Sequence, residues 1–234
     1  MHSTPSGPDR KRLATDTDDG MLLIISGPSG VGKTTITRAV ERSIPGSVFS
    51  VSATTRPMTP ADVEGVDYHF VDDATFERMI AEGAFIEHVG LFGRKYGTPR
   101  GWMDEQLARG RLVILEIDVV GAIRVRQQID DAFAIFILPP SERALLERLH
   151  ARKRESEDVI QRRFAEAQRE MQQARQTQVN GRPVYDRFII NDDLDAAIAE
   201  AVNAVAGEID RRRNQKPSSP RRHKDTEEDR ESRG

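Results

Sequence analysis

The sequence predicts an α/β domain: a three-layer fold with a parallel sheet between helices, a small insert and a helical cover. Three observations predict it. Apolar, strand-like runs recur at Met21–Ile25, Val48–Val51, Leu112–Ile117, Ala134–Leu138 and Arg187–Ile190. Helical patterns fall between several of them, at Thr34–Ser43, Asp73–Glu82, Gly101–Arg109, Val119–Gln128 and Ser141–Leu149. That alternation is how parallel strands joined by crossover helices read. Finally, the first run leads straight into Gly27-Pro28-Ser29-Gly30-Val31-Gly32-Lys33-Thr34, which fits the phosphate-binding pattern G-x-x-x-x-G-K-[ST] at every required position.

Taken in order, residues 1–20 hold only Met1 and Leu13 as large apolar side chains, and residues 211–234 hold none. Neither end buries enough surface to offset its ordering entropy, so both are expected to be disordered tails. The domain is expected over 21–210, with a core of 21–52, 97–150 and 185–210. About 190 residues suffice for one well-packed core. Residues 53–96 are rich in Gly, Pro and short alternating segments and read as an insert, with short strands expected at Tyr68–Val71 and Ala84–Val89. Ala151–Ala174 is a polar helical stretch dense in arginine with few core anchors, expected as a lid over 151–175 that covers a site rather than builds the core. Gln173–Val184, with Asn180-Gly181-Arg182-Pro183, reads as a surface loop.

Composition narrows the class. Thirty-five basic residues against 38 acidic give a net charge of −3, so no whole-chain field points to nucleic acid or to a membrane. No apolar run approaches the ~18 residues of a membrane-spanning helix. The N-terminus lacks a signal-peptide pattern, and a cytoplasmic location is expected. With no cysteine, disulfides, thiolate catalysis and cysteine-based zinc sites are excluded.

The glycine loop carries the first chemistry. Its glycines let backbone N–H groups close around an anion, and the phosphates then sit at the positive end of the following helix. Lys33 is placed for the β- and γ-phosphates, and the Thr34 hydroxyl for Mg²⁺ carried as Mg-ATP. Gly27, Ser29, Gly30, Val31, Gly32 and Thr35 complete the expected ATP-binding loop. The N-K-x-D of guanine-reading switch proteins is missing, and large motor ATPases need a longer chain. A small kinase remains, with a second site for the phosphoryl acceptor.

The segments Ser50-Val51-Ser52-Ala53-Thr54-Thr55-Arg56-Pro57, Gly65-Val66-Asp67-Tyr68-His69-Phe70, Phe85-Ile86-Glu87-His88 and Phe92-Gly93-Arg94-Lys95-Tyr96-Gly97-Thr98 follow in order. Together with the phosphate loop, the chain resembles the guanylate kinase family of nucleoside monophosphate kinases from about Met21 to Ile209. The resemblance implies an NMP-binding insert and ATP-dependent phosphorylation of GMP and dGMP by a monomer or homodimer that binds no nucleic acid. Ser52, Arg56, Tyr68 and Tyr96 would hold the GMP phosphate, and Glu87 and Thr98 would read guanine. A carboxylate accepts from guanine N1–H and N2–H₂ together, and adenine offers no such pair of donors. The family's acidic strand end is matched by Leu115-Glu116-Ile117-Asp118, with Glu116 in place of the usual aspartate, and Asp118 is placed at the acceptor. Arg152 and Arg163 match the lid arginines that stabilise the transferring phosphoryl group. Asn191 matches an asparagine near the nucleotide base.

The chain departs from the family after Arg56. Thr59 stands where a second phosphate-binding arginine is usual, and Ala61 replaces a glycine. The loss implies roughly 10- to 100-fold weaker acceptor binding, from one charge-assisted contact, unless Lys95 or Arg94 substitutes; Thr59→Arg is expected to tighten GMP. Two other readings stay open: a related P-loop kinase with a shifted acceptor (another nucleotide or a sugar phosphate), and a non-catalytic guanylate-kinase-like binding module.

Overall fold

The structure is a computed structural model that describes residues 20–91, 93–151 and 156–215. In chain order the elements are β1 (Met21–Ser26), α1 (Lys33–Ser43), β2 (Val48–Phe49), β3 (Ala53–Thr54), β4 (His69–Phe70), α2 (Asp73–Ala81), β5 (Phe85–Leu91), β6 (Arg94–Pro99) and α3 (Arg100–Ala108). Then come β7 (Leu112–Glu116), α4 (Val119–Gln128), β8 (Phe133–Leu138), α5 (Glu142–His150), α6 (Glu157–Gln176), β9 (Gln178–Val179), β10 (Arg182–Pro183), β11 (Arg187–Ile190) and α7 (Leu194–Gln215).

Five parallel strands form the central sheet in the order β11-β8-β1-β7-β2. β1 and β8 are buried along their whole length, as a parallel sheet covered on both faces requires. Alternate residues of β1 serve the two layers. Leu22 and Ile24 pack with Met103, Ala122, Val125, Leu145 and Ala167 from α3, α4, α5 and α6. Met21, Leu23 and Ile25 pack with Ile36, Val40, Ala197, Ala201 and Val205 from α1 and α7. At 25 cal/mol per Å², each fully buried Leu or Ile contributes about 1.5–3 kcal/mol, so these two layers carry most of the folding drive. β1 lies between β8 and β7, which puts the loop after it at a point where α/β sheets bind ligands.

The insert is a second sheet, ordered β4-β3-β6-β5, with α2 packed through Phe76 onto Ala53 and Phe85. It ends at Pro99 rather than at residue 96, because β6 pairs with β5 through its full length. Its rim touches the core where Arg38 of α1 donates to Val66 O at 2.9 Å and lies 3.9 Å over the Phe49 ring.

Two expectations are corrected. Residues 177–184 form a β9–β10 hairpin, not an irregular surface loop. Val179 and Val184 are buried, and the Arg126 guanidinium donates to the Val184, Pro183, Asp130 and Ala132 carbonyls and to Asp186. A buried cation with five acceptors fixes the hairpin where turn composition alone suggests a free loop. α7 also continues to Gln215, five residues into the expected tail, because Glu208 pairs with Arg211 and Arg212 and Arg212 reaches Asp131. Residues 1–19 and 216–234 lie outside the described residues, as do Phe92 and residues 152–155 at the start of the expected lid.

Candidate active site

β1 ends at Ser26 and the chain turns back over the start of α1. Gly32 caps that helix at φ 96°. A Cβ there would meet Asn191 Nδ2 at 2.6 Å, so glycine is required by both conformation and space. Asn191 is buried and its Nδ2 donates to Val31 O at 2.8 Å. The amide thus braces the loop from beneath. Lys33 Nζ turns back onto the loop, donating to Gly27 O at 2.5 Å and Pro28 O at 3.1 Å. Gly30 borders Leu145 and Leu149 of α5, and Thr35 is exposed on the first turn of α1.

The Thr34 hydroxyl, in the first turn of α1, donates to Glu116 Oε1 at the end of β7 at 2.6 Å. Glu116 Oε2 is buried without a hydrogen-bond partner. Among the described residues no group of three or more His, Cys, Asp or Glu is placed to hold a metal ion by itself. One hydroxyl and one carboxylate with an orphaned oxygen nevertheless form an all-oxygen pair that suits Mg²⁺ shared with nucleotide phosphates, the mode a hard, strongly hydrated cation favours. The extra methylene of Glu116 lets its carboxylate reach Thr34.

A cavity of about 310 Å³ runs from this loop to the insert. It is lined by Gly27, Ser29 and Lys33 from the loop and the start of α1, by Ser52, Tyr68, Glu87 and Tyr96 from the insert and its approach, by Asp118 before α4 and by Arg163 of α6. Nine of the expected site residues therefore meet at one space, although they lie between 27 and 163 in the chain. Tyr68 and Tyr96 stand edge to face, 5.7 Å between ring centroids, and burial raises the Tyr68 hydroxyl above its ordinary pKa.

A register shift in β5 sets Glu87 opposite Thr98 of β6. Thr98 Oγ1 donates to Glu87 Oε1 at 2.6 Å. Burial is the main cause that pushes the Glu87 carboxyl up to about 7, and the Asp118 charge adds to it while the Thr98 bond opposes it. Asp118 caps α4 by accepting from Gly121 N at 2.7 Å. Glu87 Oε2 lies so close that a Cβ on Gly121 would stand 2.9 Å from it.

Arg56 does not line the cavity. Its guanidinium lies 5.2 Å from the Tyr68 ring centroid and is held by Asp62. Lys95 is engaged by Asp73 and Glu77, so it is not held in reserve for the acceptor phosphate. Arg152 lies outside the described residues.

Three charged residues of the site escape the sequence reading. Glu166 and Glu170 line the cavity with Arg163, and Glu170 is pushed up to about 7, by burial first, with Asp118 and Glu166 adding and Lys33 opposing. Positions 163, 166, 167 and 170 share one helical face, a period readable in the sequence had the acids been weighed along with the arginines. Arg148 of α5 donates to Asn191 O at 2.9 Å, joining the lid side to the loop brace. Nothing local distinguishes it from Arg143, the other arginine of α5.

A phosphate loop at the end of β1, an insert with a buried carboxylate and a helix lining the same cavity define a P-loop nucleotide kinase. The sequence profile of the guanylate kinase family matches residues 19–208, and the chain belongs to that family. It is 47% identical over 181 residues to the guanylate kinase of Symbiobacterium thermophilum, covering 77% of this chain and 82% of that protein. It is 42% identical over 187 residues to that of Coxiella burnetii, covering 80% and 87%. The crystal structure of guanylate kinase from Anaplasma phagocytophilum superposes with a TM-score of 0.66 at 29% identity, covering 82% of this chain and 88% of that one. Among the described residues no helix is long and apolar enough to cross a membrane.

Proposed function

We propose that this protein transfers the γ-phosphoryl group of ATP to GMP and dGMP. The observation that carries the reading is one cavity lined both by Lys33 of the phosphate loop and by the buried Glu87, whose carboxylate accepts from Thr98. An in-line transfer needs the acceptor oxygen beside the γ-phosphorus and opposite the leaving oxygen, and one cavity lined by both the phosphate loop and the insert lets the two nucleotides meet in that way.

Ionised Glu87 accepts from guanine N1–H and N2–H₂, and Thr98 keeps its Oε1 oriented. Ser52, Tyr68 and Tyr96 donate to the acceptor phosphate, and Arg56 supplies the cation beside them. The Gly27–Thr35 backbone cradles the donor phosphates at the α1 N-terminus, with Asn191 and Arg148 holding the loop in shape. Lys33 exchanges its two carbonyl acceptors for phosphate oxygens when nucleotide enters, because a charged acceptor roughly doubles the strength of each bond. Arg163, with Arg152 in the role the family resemblance implies, offsets charge on the transferring group from the lid. The Thr34 hydroxyl and Glu116 are the groups that would hold Mg²⁺ carried with ATP, which would supply charge neutralisation at the donor phosphates. No side chain is needed as a strong base, since transfer rests on positioning and charge neutralisation.

The test is ADP release across GMP, dGMP, AMP, UMP, CMP and IMP. GMP and dGMP are expected as substrates, with AMP at least about 100-fold lower in kcat/KM, the scale that unpaired buried polar groups enforce. Comparable turnover of AMP or UMP, or activity confined to a sugar phosphate, overturns the assignment.

A further inference from the structure

We infer that Asp62, seated on Thr59, is a positioning residue for the acceptor phosphate: it grips the outer fork of Arg56 and leaves one edge of that guanidinium for the phosphate to use. The inference rests on the GMP-kinase reading above.

The donors can be counted. Arg56 Nη1 donates to Asp62 Oδ2 at 3.0 Å and to Pro57 O at 3.1 Å, and Nη2 donates to Asp62 Oδ1 at 2.8 Å. A guanidinium carries five N–H donors in a fixed plane. Three are used here. The two left over, on Nε and Nη2, are parallel and lie along one edge. Such a pair has the spacing that meets two oxygens of one phosphate. Tyr68 and Phe70 hold the same group from the side, each ring centroid 5.2 Å from its central carbon. Tyr68 itself lines the cavity, so the cation stands behind the wall that the phosphate approaches.

Asp62 is an anchor rather than a placeholder for substrate. Besides Arg56, its Oδ2 accepts from the Thr59 backbone N–H and from the Thr59 hydroxyl, each at 2.6 Å. Four donors saturate the carboxylate and hold it well below the usual carboxylate range, with Arg56 the first cause and Thr59 the next. Displacing it would forfeit all four bonds. Thr59 therefore fills a role of its own at the position where related chains carry a second arginine. With Lys95 held by Asp73 and Glu77, the aim of Arg56 matters more here than in a two-arginine site.

The sign expected for Thr59→Arg changes accordingly. The new arginine loses the hydroxyl bond to Asp62 and competes for its carboxylate, so the GMP KM should rise rather than fall.

The experiment measures the KM for GMP, the KM for ATP, kcat, and the inhibition constant of guanosine, which lacks the phosphate. It uses the full chain and its Asp62→Asn, Thr59→Val and double variants. Asp62→Asn should raise the GMP KM about tenfold, the scale of one charge-assisted contact. The KM for ATP and kcat should stay within about twofold, and guanosine inhibition should not move, because the base contacts are untouched. Thr59→Val, at an exposed loop position, should shift the GMP KM the same way but less, since the backbone N–H still seats Asp62. The double variant should be no worse than Asp62→Asn alone. A lower GMP KM for Asp62→Asn would mean the carboxylate obstructs the phosphate and overturns the inference. So would equal losses for GMP and guanosine, the mark of a residue that only holds the loop. A wild-type protein that takes no GMP instead overturns the function on which the inference rests.

Discussion

Thr98 Oγ1 donates to Glu87 Oε1 at 2.6 Å across a bulged strand pair, where Glu87 is only 5% exposed. The bond opposes, but does not cancel, the cost of burying the charge. Glu87 is therefore pushed up to about 7, and the guanine reading proposed for it should depend on pH.

Guanine requires the ionised carboxylate, so below about pH 7 GMP binding must release a proton from Glu87. The KM for GMP should fall by up to about tenfold per unit as pH rises from 5.5 to 7, then level off. The KM for ATP should not follow it. A flat GMP profile over that range would mean that Glu87 does not contact the base.

The same burial governs the stability of the unliganded protein. Glu87 and Glu170 bind a proton more tightly folded than unfolded, with pKa near 7 against an ordinary 4.5. Their contribution is thus fully present below about pH 4.5 and is lost as pH rises through 7. Melting temperatures measured from pH 5 to 8 should decline on this account, and Glu170→Gln should flatten the decline by keeping a neutral group in place.

Gly121→Ala should damage guanine recognition. The added Cβ would stand 2.9 Å from Glu87 Oε2 and 3.2 Å from Asp118 Oδ1, so the carboxylate must shift. Misplacing a positioned group by a fraction of an ångström predicts about a 10- to 100-fold lower kcat/KM for GMP. ATP affinity and melting temperature should change little, because the residue sits at a helix start and its helix propensity improves.

Lys33→Ala removes the ammonium at the donor phosphates. It should lower kcat by at least about 10²-fold with an unchanged circular dichroism spectrum. Retention of more than about a tenth of wild-type kcat would mean that the phosphate loop is misassigned.

Arg126→Ala should destabilise the fold without touching the site. It strips donors from four backbone carbonyls and from Asp186, whose side chain is about a third exposed. Breaking a buried pair costs roughly 3–5 kcal/mol, and the exposed partner puts this one near the lower end. Denaturant unfolding measures it directly.

The sequence by itself determined the layered α/β fold, since long apolar runs alternating with 3.6-period stretches admit few other solutions. It also determined the phosphate loop, where glycine and lysine spacing is local and the strand and helix on each side are strong signals. The order of the motifs along the chain named nine residues that line one cavity. Only the tertiary structure decided what stands opposite what. The two-residue β3 and the β6 strand carry too little periodicity to be read alone; β6 has β5 as its partner and β3 lies between β6 and β4. The β9–β10 hairpin is held by Arg126, some 57 residues away in the chain. α7 hides its stripe in small residues, Ala197 and Ala201, whose burial depends on α1. Thr59 reads in the sequence as a missing contact, whereas in the structure its N–H and hydroxyl both donate to Asp62. Periodicity and motif spacing are properties of neighbours in the chain; hydrogen-bond partners and desolvation belong to neighbours in space, and those are set only when the layers pack.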